Sequence, residues 1–277
     1  MSHSYTAEEI QDRVAAVPFW FHSIDLGHGV VTPGHKSLRL LQEEVANCHL
    51  PNLRGRTVLD IGAWDGFFSF QAERLGAAHV VALDHYVWSI DMSQTFPASQ
   101  LAEHDPQRWR PDTLPGKRGF DLSHKLLGSL VEPRVADFME VDLATLGQFD
   151  VVLYLGVLYH QRHPLQALER VAKVTRDLAV IETEAVNIPG LEDRAFCQFF
   201  ESDELAGDTS NWWAPNAQAL IGLCRAAGFR KVEVQVQRVF TWKGVKKVAG
   251  QLRNVMRLGP PKDRGLGRYR LVAHAYA

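Results

Sequence analysis

The sequence contains few of the features that mark secreted, metal-binding or membrane-spanning proteins. Its three cysteines, Cys48, Cys197 and Cys224, lie far apart among 277 residues, which fits neither a disulfide framework nor a cysteine-based metal site. Its longest uncharged apolar run, Val151 to Tyr159, is far shorter than the roughly 20 residues of a membrane-spanning helix. The N-terminal residues lack the hydrophobic segment of a signal peptide. We therefore expect a soluble, cytoplasmic protein without a membrane span.

An excess of charge of one sign is also lacking. The net charge is -2 and 46% of the residues are hydrophobic, which argues against a disordered chain and against general attraction to nucleic acid. The exception is local, because residues 243–270 contain nine basic side chains and a single acid, Asp263. This segment indicates a solvated helix and loop or, alternatively, a surface for a phosphate-bearing or RNA partner.

From residue 57 onward, short apolar strands alternate with helical patterns. This alternation predicts an α/β fold with right-handed crossovers and a mostly parallel sheet that has helices on both faces. The end of the chain differs, because its last strand is predicted to run antiparallel. The predicted strands are 57–61, 79–83, 133–138, a run beginning at 149, 178–183, 232–236 and 270–277, and the predicted helices are 66–75, 121–129, 165–174 and 217–227.

Residues 1–49 are predicted to form a helical lid ahead of the main domain. Thr6-Ala7-Glu8-Glu9 fits a capping box, since the side chains of Thr6 and Glu9 can each accept a hydrogen bond from an unpaired backbone amide. The pattern predicts a helix that ends near Val17 and a second helix over 37–46. The main domain is expected over residues 50–277, with insertions at 86–120, 186–216 and 243–268.

An acid and a glycine stand where the first predicted strand ends. Asp60 precedes Gly62, and the turn between Gly62 and Gly66 contains Trp64 where many nucleotide-binding turns have a third glycine. At the carboxyl edge of a parallel sheet, such a turn leads into a helix N-terminus and offers backbone donors to a polar ligand. The G-x-G-x-x-G pattern is not met, so the turn does not predict a tight diphosphate cradle.

Three later strand ends add groups of a similar kind. Asp84, next to His85, can accept hydrogen bonds from both hydroxyls of a ribose. The alternative role of Asp84 is that of a helix N-cap. Asp137 and Phe138 are placed to bind the amino group of an adenine and to cover its face, and the fourth strand ends at Leu155. Together these strand ends describe a site for a nucleoside with an amino-acid tail and no phosphate.

This arrangement resembles that of the class I S-adenosylmethionine-dependent methyltransferases, over about residues 50–277. The resemblance implies a Rossmann-like, seven-stranded sheet with S-adenosylmethionine as methyl donor and S-adenosylhomocysteine as product. Gly62 would leave room for the methionine moiety. Magnesium assists some sugar methyltransferases, but the sequence has no clear paired-acid motif, so no metal site is predicted.

A closer resemblance lies in the segment GVLYHQRHPLQALERV at 156–171. It is similar to the bacterial tRNA wobble-uridine carboxymethyltransferases and their small-molecule relatives. In the tRNA enzymes the tyrosine that matches Tyr159 helps to hold a carboxylated donor, and Lys36 is the counterpart of lysines ahead of the first strand. The Asp-Thr-Glu-Trp segment of that family is replaced by Val30-Val31-Thr32-Pro33, which favours S-adenosylmethionine itself and a substrate other than tRNA.

Two further segments, FHSIDLGHGVVTPG and FFESDELAGDTSNWWAPN, are similar to the sugar O-methyltransferases of mycobacterial methylmannose polysaccharide synthesis. This resemblance implies transfer to a saccharide hydroxyl, with the 1-hydroxyl of a methylated mannoside as the specific expectation. The alternatives are a tRNA wobble-uridine methyl- or carboxymethyltransferase, an O-methyltransferase for another small natural product, and a donor-binding module without catalysis. The expected partner is a small-molecule or oligosaccharide acceptor, nucleic acid is not expected, and a homodimer is compatible with the sequence.

Three histidines are candidates for the general base that such a transfer needs. A protonated hydroxyl is a poor nucleophile, and histidine titrates near the working pH. His160 follows the fourth strand and ranks first, His163 lies one helical turn further on, and His22 belongs to the predicted lid. The alternative for His160 is a structural role, as a helix cap or as the partner of a backbone carbonyl.

Aromatic and acidic residues further along the chain predict the acceptor site. Asn211, Trp212 and Trp213 stand between the fifth strand and the last predicted helix. Aromatic faces can stack on sugar rings and Asn211 can bind hydroxyls, whereas packing of one tryptophan beneath the loop is the alternative. Glu182, Glu184 and Glu201 are candidates to orient hydroxyls or to assist the base, with solvated or capping carboxylates as the alternative.

Overall fold

A computed structural model describes residues 5–93, 108–187, 190–236 and 267–277, which form a three-layer α/β domain. Its main sheet contains β1 (Thr57–Ile61), β2 (His79–Asp84), β3 (Glu132–Val135), β4 (Phe149–Leu155), β5 (Thr175–Asn187), β8 (Lys231–Val236) and β9 (Gly267–Tyr276), and a separate hairpin contains β6 (Cys197–Phe199) and β7 (Trp213–Pro215). The helices are α1 (Ala7–Ala15), α2 (Leu38–Cys48), α3 (Phe67–Arg74), α4 (Arg118–Leu127), α5 (Leu143–Leu146), α6 (Pro164–Val174) and α7 (Ala217–Ala226). The strand order β3-β2-β1-β4-β5-β9-β8 confirms the predicted seven-stranded, mostly parallel sheet.

The strand β1 lies where the strand order reverses. It pairs in parallel with β2 on one side and with β4 on the other, so that Asp60 lies beside Ala82 and Leu153. In open α/β sheets, ligands bind outside the carboxyl ends of the strands at such a reversal. The topology therefore brings the predicted ligand residues of β1, β2 and β4 to one edge of the sheet.

The strand β9 breaks the parallel pattern. It runs antiparallel to both of its neighbours, β5 and β8, as predicted for the end of the chain. Its pairing with β5 extends from Leu178 to Asn187, so β5 continues beyond the end predicted at residue 183. The antiparallel partner satisfies the backbone groups of the additional residues, Glu184 to Asn187.

Hydrophobic side chains cover both faces of the sheet. Successive residues of β1 point to opposite faces, with Val58 in one buried cluster and Leu59 in the other. The first cluster also contains Phe70 of α3 and Phe120 of α4, and the second contains Leu168 of α6. Helices on both faces are thus confirmed, and the sheet between them is a rigid base for the site at its edge.

The N-terminal segment packs into the first of these clusters. The capping box predicted at Thr6 is confirmed, because Thr6 Oγ1 accepts a hydrogen bond from the backbone amide of Glu9 and the carboxylate of Glu9 accepts one from that of Thr6. Ile10 of α1 and Leu41 of α2 are buried against the core. The core therefore extends across the boundary predicted at residue 49.

Two element boundaries differ from the prediction for local reasons. The strand β3 ends at Val135 rather than at residue 138, because the carboxylate of Asp137 accepts a hydrogen bond from the backbone amide of Met139 and closes a turn there. The helix α4 begins at Arg118 rather than at residue 121, because the 3-10 turn Pro115–Lys117 leads directly into it.

The predicted insertions are only partly covered by the described residues. In the insertion predicted at 86–120, residues 94–107 lie outside them, and an isolated bridge pairs Ile90 with Trp109. The basic insertion 243–268 is described from residue 267 onward only. Within the described ranges, no helix is long and apolar enough to cross a membrane.

Candidate active site

The turn after β1 has the backbone conformation of a glycine-rich turn although it contains a tryptophan. Gly62 and Gly66 have φ values of 80° and 87°, and Trp64 between them has a φ of 48°. This left-handed region favours glycine, and the backbone amide of Trp64 is held there by a 3.0 Å hydrogen bond to the carboxylate of Asp84. A Cβ atom on Gly62 would lie 2.6 Å from Cγ2 of Val157, so glycine is required for this close approach.

The carboxylate of Asp84 is buried at the end of β2. Besides Trp64 it accepts a hydrogen bond, 3.2 Å long, from the backbone amide of Val87, which begins the 3-10 helix Val87–Ser89. The N-cap position of this 3-10 helix belongs to Tyr86, so Asp84 bonds to the first turn without being its N-cap. Burial raises the pKa of Asp84 to about 6, and the backbone hydrogen bonds act in the opposite direction. The side chain is thus fixed between two loops at the ligand edge of the sheet.

Asp60 and His85 lie near this carboxylate in the sequence but have different surroundings. Asp60 is buried within β1 and accepts a 2.6 Å hydrogen bond from the hydroxyl of Ser69, which links β1 to α3. Burial raises the pKa of Asp60 to about 7. The ring of His85 packs edge-on against Trp109, with centroids 5.3 Å apart. Asp60 therefore anchors the turn from within, whereas His85 faces the predicted insertion.

The residues after β3 divide between surface and core. Asp137 is exposed, and its carboxylate is available at the edge of the turn that it closes. The ring of Phe138 is 7% exposed and packs beside Tyr154 and the guanidinium of Arg170, whose Cζ lies 5.6 Å from the ring centroid. Contact of Phe138 with a ligand is therefore restricted to its backbone and the small exposed part of its ring.

The N-terminal segment is attached to the turn after β1 through two residues of that turn. The rings of Phe21 and Trp64 stack with centroids 4.0 Å apart and an interplanar angle of 4°. The buried carboxylate of Asp65 accepts hydrogen bonds from the backbone amides of Phe21 (2.7 Å) and His22 (2.8 Å). Burial lowers the pKa of His22 to about 3 and leaves its ring nearly inaccessible, which argues against a direct role as base.

Lys36 lies beside this attachment and is already paired. Its ammonium group is 2.8 Å from the carboxylate of Glu44 and 5.3 Å from the ring centroid of Phe21. The resemblance implies that Lys36 binds a carboxylate of the donor. In the structure, the positive charge of Lys36 is compensated by Glu44 instead.

His160, the first predicted base, lies next to the loop that carries Asn211, Trp212 and Trp213. It ends the 3-10 helix Leu158–His160 that follows β4, and its ring lies 4.2 Å from that of Tyr159. Its Nδ1 lies 2.9 Å from the hydroxyl and 3.1 Å from the backbone carbonyl of Ser210. Burial lowers the pKa of His160, while the charge of Asp208 acts in the opposite direction. The ring is therefore mainly neutral at neutral pH, as a base requires.

The Asn-Trp-Trp loop lies against this 3-10 helix, and its three residues differ in exposure. The backbone amide of Trp212 donates a 2.8 Å hydrogen bond to the carbonyl of Tyr159, and both tryptophan rings are partly exposed. Asn211 is 3% exposed, and its side-chain amide donates to the carbonyl of Leu205. The tryptophans can therefore meet an acceptor, whereas Asn211 shapes the loop.

A charged cluster lies on the other side of Tyr159. The guanidinium of Arg270, on β9, forms a two-point ion pair with Glu182 and a 3.2 Å hydrogen bond with Glu184, both on β5. Its Cζ lies 5.0 Å from the ring centroid of Tyr159, whose pKa burial raises. A Cβ atom on Gly156 would be in van der Waals contact with the side chains of Arg270, Tyr159 and Glu182.

Two predicted site residues lie apart from these groups. His163 is exposed at the N-cap of α6, and its backbone carbonyl accepts the hydrogen bond from Ala167 that begins the helix. Glu201 is exposed, in a turn closed by the carboxylate of Glu204. Within the part of the chain that the structure describes, no three His, Cys, Asp or Glu side chains are grouped as metal ligands.

Four polar residues of the site were not predicted from the sequence: Asp65, Asp208, Ser210 and Arg270. The segment DTSNWW contained a signal for two of them, because an Asx-type turn at Asp208 places Ser210 two residues later. Arg270 could not be predicted, because its contacts depend on the insertion of β9 beside β5.

This fold, with acids and glycines at successive carboxyl ends of one parallel sheet, defines a class I methyltransferase. A family model described as "Methyltransferase domain" matches residues 34–234, and the chain belongs to this family. The methyl donor of class I methyltransferases is S-adenosylmethionine, which is therefore the cofactor of this chain.

Similar proteins are known among curated sequences and solved structures. The chain is 25% identical over 191 residues to a tRNA U34 carboxymethyltransferase of Idiomarina loihiensis, covering 67% of this chain and 49% of the relative. It is 28% identical over 202 residues to the enzyme of the same name from Pseudoalteromonas translucida, covering 73% and 53%. The chain thus spans about half the length of these curated relatives. The N-terminal domain of EvdMO1, crystallised in the presence of SAH and D-fucose, shares the fold with a TM-score of 0.63 at 20% identity, covering 100% of this chain and 99% of that chain.

Proposed function

We propose that this methyltransferase transfers the methyl group of S-adenosylmethionine to a hydroxyl group of a saccharide, with His160 as the general base. The observation that carries the proposal is the position of His160. Its ring follows β4 at the ligand edge of the sheet and is held by the loop that bears Trp212 and Trp213. The proposed base and an aromatic surface for a sugar ring thus lie together at the ligand edge of the sheet, where the turn after β1 also lies.

The residues at the strand ends fit a nucleoside with an amino-acid tail. Asp84 supplies a carboxylate for ribose hydroxyls, and the exposed Asp137 supplies one for the amino group of adenine. Gly62 keeps the turn after β1 free of a side chain. The turn offers no glycine-rich diphosphate cradle, since Trp64 stands in its middle. These groups match S-adenosylmethionine, which has no phosphate.

The role of His160 is to accept the proton of the acceptor. S-adenosylmethionine supplies an electrophilic methyl group on a positively charged sulfur. The acceptor O–H proton passes to the unprotonated ring nitrogen of His160, the oxygen forms a bond to the methyl carbon, and the electron pair of the broken carbon–sulfur bond stays on sulfur. Because oxygen, methyl carbon and sulfur must lie in line, positioning contributes much of the rate.

The acceptor side is aromatic and cationic. The guanidinium Cζ of Arg162 lies 4.3 Å from the ring centroid of Trp212, and the indole nitrogen of Trp213 donates to the carbonyl of Arg162. Phe199, on the paired strand β6, is 53% exposed and lies 5.0 Å from the ring of Trp213. Exposed aromatic rings with polar groups at their edges can stack on the apolar faces of sugar rings. The D-fucose present with EvdMO1 gives the same proposal independent support.

The proposal is tested by incubating the protein with methyl-labelled S-adenosylmethionine and a panel of mannosides, glucosides, fucosides and tRNA. We expect label in at least one saccharide and S-adenosylhomocysteine in equal amount, with the 1-hydroxyl of a methylated mannoside as the first acceptor to examine. The variant His160→Gln should lose most of the transfer, whereas the matched control His163→Gln should retain it. Label in tRNA alone would contradict the saccharide assignment.

A tRNA acceptor is the second candidate, because the curated relatives are tRNA U34 carboxymethyltransferases. A carboxylated donor bound beside Tyr159 would be stabilised by an uncompensated positive charge there. Arg270 lies there, but two carboxylates engage it, and Lys36 is paired with Glu44. The electrostatics therefore favour the donor without the extra carboxylate.

A further inference from the structure

The loop that carries the acceptor tryptophans also contains a short chain of hydrogen bonds that ends on His160. The hydroxyl of Ser210 donates a 2.7 Å hydrogen bond to Oδ1 of Asp208. The same hydroxyl oxygen lies 2.9 Å from Nδ1 of His160, and the carbonyl oxygen of Ser210 lies 3.1 Å from that nitrogen. Three residues from two parts of the chain are thereby joined in one line.

The donors and acceptors in this chain fix where the proton of the imidazole lies. A carboxylate accepts only, so the single hydroxyl proton of Ser210 is used in the bond to Asp208. The hydroxyl oxygen and the carbonyl oxygen of Ser210 then both face Nδ1 as acceptors. Nδ1 must therefore carry the proton, and in the neutral ring Nε2 carries the lone pair.

We propose that Ser210 and Asp208 are positioning residues for His160, which hold its ring in the tautomer with the proton on Nδ1 so that Nε2 faces the acceptor hydroxyl as a base. This inference rests on the proposed role of His160. No described residue forms a hydrogen bond with Nε2. When the acceptor proton arrives there, the positive charge of the imidazolium is stabilised by the carboxylate of Asp208 through the hydroxyl of Ser210.

The chain of hydrogen bonds is itself held in place. The carboxylate of Asp208 also accepts a 2.8 Å hydrogen bond from the backbone amide of Ser210, which fixes the turn. The bonds from Trp212 to Tyr159 and from Asn211 to Leu205 attach the loop on both sides. The ring of His160 is therefore oriented by a preorganised loop rather than by a mobile side chain.

Other charged and titratable groups around His160 act on it differently. Arg270 opposes protonation of the ring, as burial does, whereas Asp208 and the bond to the carbonyl of Ser210 favour it. Tyr159, whose ring is 4.2 Å away, stays neutral because burial raises its pKa. Asp208 is thus the acid whose negative charge assists proton transfer to His160.

The same loop provides a matched control pair. The hydroxyl of Ser202 donates to the carboxylate of Asp203 over 3.3 Å, and both residues are exposed. This pair has the composition of the Ser210–Asp208 pair without its contact to His160. Variants of it report on the loop alone.

The first test reads the tautomer without any acceptor, by long-range proton–nitrogen correlation NMR of the full chain with labelled histidine. We expect a protonated Nδ1 and an unprotonated Nε2 for His160 at neutral pH. Asp208→Asn should lower the midpoint of the His160 titration, and Ser210→Ala should lower it less, because the carbonyl of residue 210 still accepts. A protonated Nε2 in the wild-type protein, or an unchanged midpoint in Asp208→Asn, would overturn the proposal.

The second test uses the saccharide that the acceptor panel identifies. Asp208→Asn should lower kcat roughly tenfold, which is less than the roughly 100- to 10,000-fold that the base itself contributes, while the KM of the acceptor and the Kd of the donor stay unchanged. Ser210→Thr, which keeps the hydroxyl, should retain activity, and so should Asp203→Asn and Ser202→Ala. A fall in donor binding parallel to kcat would assign these residues a structural role only. Full activity of His160→Gln would instead show that His160 is not the general base. The tautomer measured by NMR would not be affected by that result.

Discussion

The rings of Phe21 and Trp64 lie parallel, with centroids 4.0 Å apart. This stack joins the N-terminal segment to the turn after β1, where Trp64 adopts a left-handed conformation that glycine would adopt more easily. The contact offsets the strain of that conformation, which is roughly 1–2 kcal/mol for a non-glycine residue. It also means that the shape of the turn after β1 depends on residues of the N-terminal segment.

Replacement of Phe21 by Ala should therefore weaken donor binding although Phe21 lies outside the turn. Without the stack, the left-handed conformation of the turn is less stable, and a smaller fraction of the molecules has the turn in its ordered form. We expect a several-fold increase in the Kd for S-adenosylhomocysteine, measured by calorimetry, together with a lower Tm. Phe19→Ala is the matched control, because the ring of Phe19 lies 6.1 Å from Trp64 and is 39% exposed. Equal effects of the two variants would show that the stack has no special role.

Donor affinity should depend on pH through Asp84. Burial raises the pKa of Asp84 to about 6 in the free protein, and ribose hydroxyls bind best to the ionised carboxylate. Donor binding should therefore strengthen as the pH rises through about 6 and level off above it. Asp84→Asn should weaken binding at neutral pH by roughly tenfold to a hundredfold, equivalent to about 1.5–3 kcal/mol, and should flatten the pH profile. A wild-type affinity that is constant from about pH 5 to about pH 8 would contradict this role.

The fold itself should carry a pH dependence from Asp60. Burial raises the pKa of this carboxyl from 3.8 to about 7, so between these values the folded chain binds more protons than the unfolded chain. The free energy of unfolding therefore falls as the pH rises through this window, by about 1.4 kcal/mol for each unit of pKa shift. Asp60→Asn removes the titrating group and keeps an acceptor for Ser69. Urea unfolding at about pH 5 and about pH 8 should show that the variant gains stability relative to wild type at the higher pH, and no change in the difference would be the contrary result.

The strand ends at the ligand edge of the sheet could be predicted from the sequence because each is marked locally. Apolar runs that stop at Asp60, Asp84 and Leu155 show where strands leave the core, and the glycines mark the turn. The same patterns could not show that β5 extends to Asn187, because its last residues are stabilised by β9, a strand that is distant in sequence.

Long-range contacts limited the prediction of the site in the same way. Arg270 and Glu182 are 88 residues apart, and His160 and Ser210 are 50 apart. Their proximity follows from the order of strands and from the packing of the acceptor loop, neither of which has a local signal. Asn211 was placed correctly in the loop, but its burial, which turns its side chain to Leu205, depends on the same packing.

The pairing of Arg270 with two carboxylates should set donor preference. In the wild-type protein we expect S-adenosylmethionine to bind more tightly than a carboxylated analogue, because Glu182 and Glu184 compensate the guanidinium. The double variant Glu182→Gln/Glu184→Gln leaves the cation uncompensated and should shift the preference toward the carboxylated analogue. Competition calorimetry measures both donors.

The control for this exchange is Glu192→Gln, an exposed acid away from the cluster, which should leave the preference unchanged. Tighter binding of the carboxylated donor by the wild-type protein would contradict the electrostatic argument and would support the tRNA-modifying alternative.

The most direct test of the donor site is isothermal calorimetry of the wild-type chain with S-adenosylhomocysteine. The strand-end arrangement predicts saturable binding of one molecule per chain, weakened in Asp84→Asn and unchanged in the surface variant Glu192→Gln. The absence of binding heat at several temperatures, or binding that Asp84→Asn leaves intact, would contradict it.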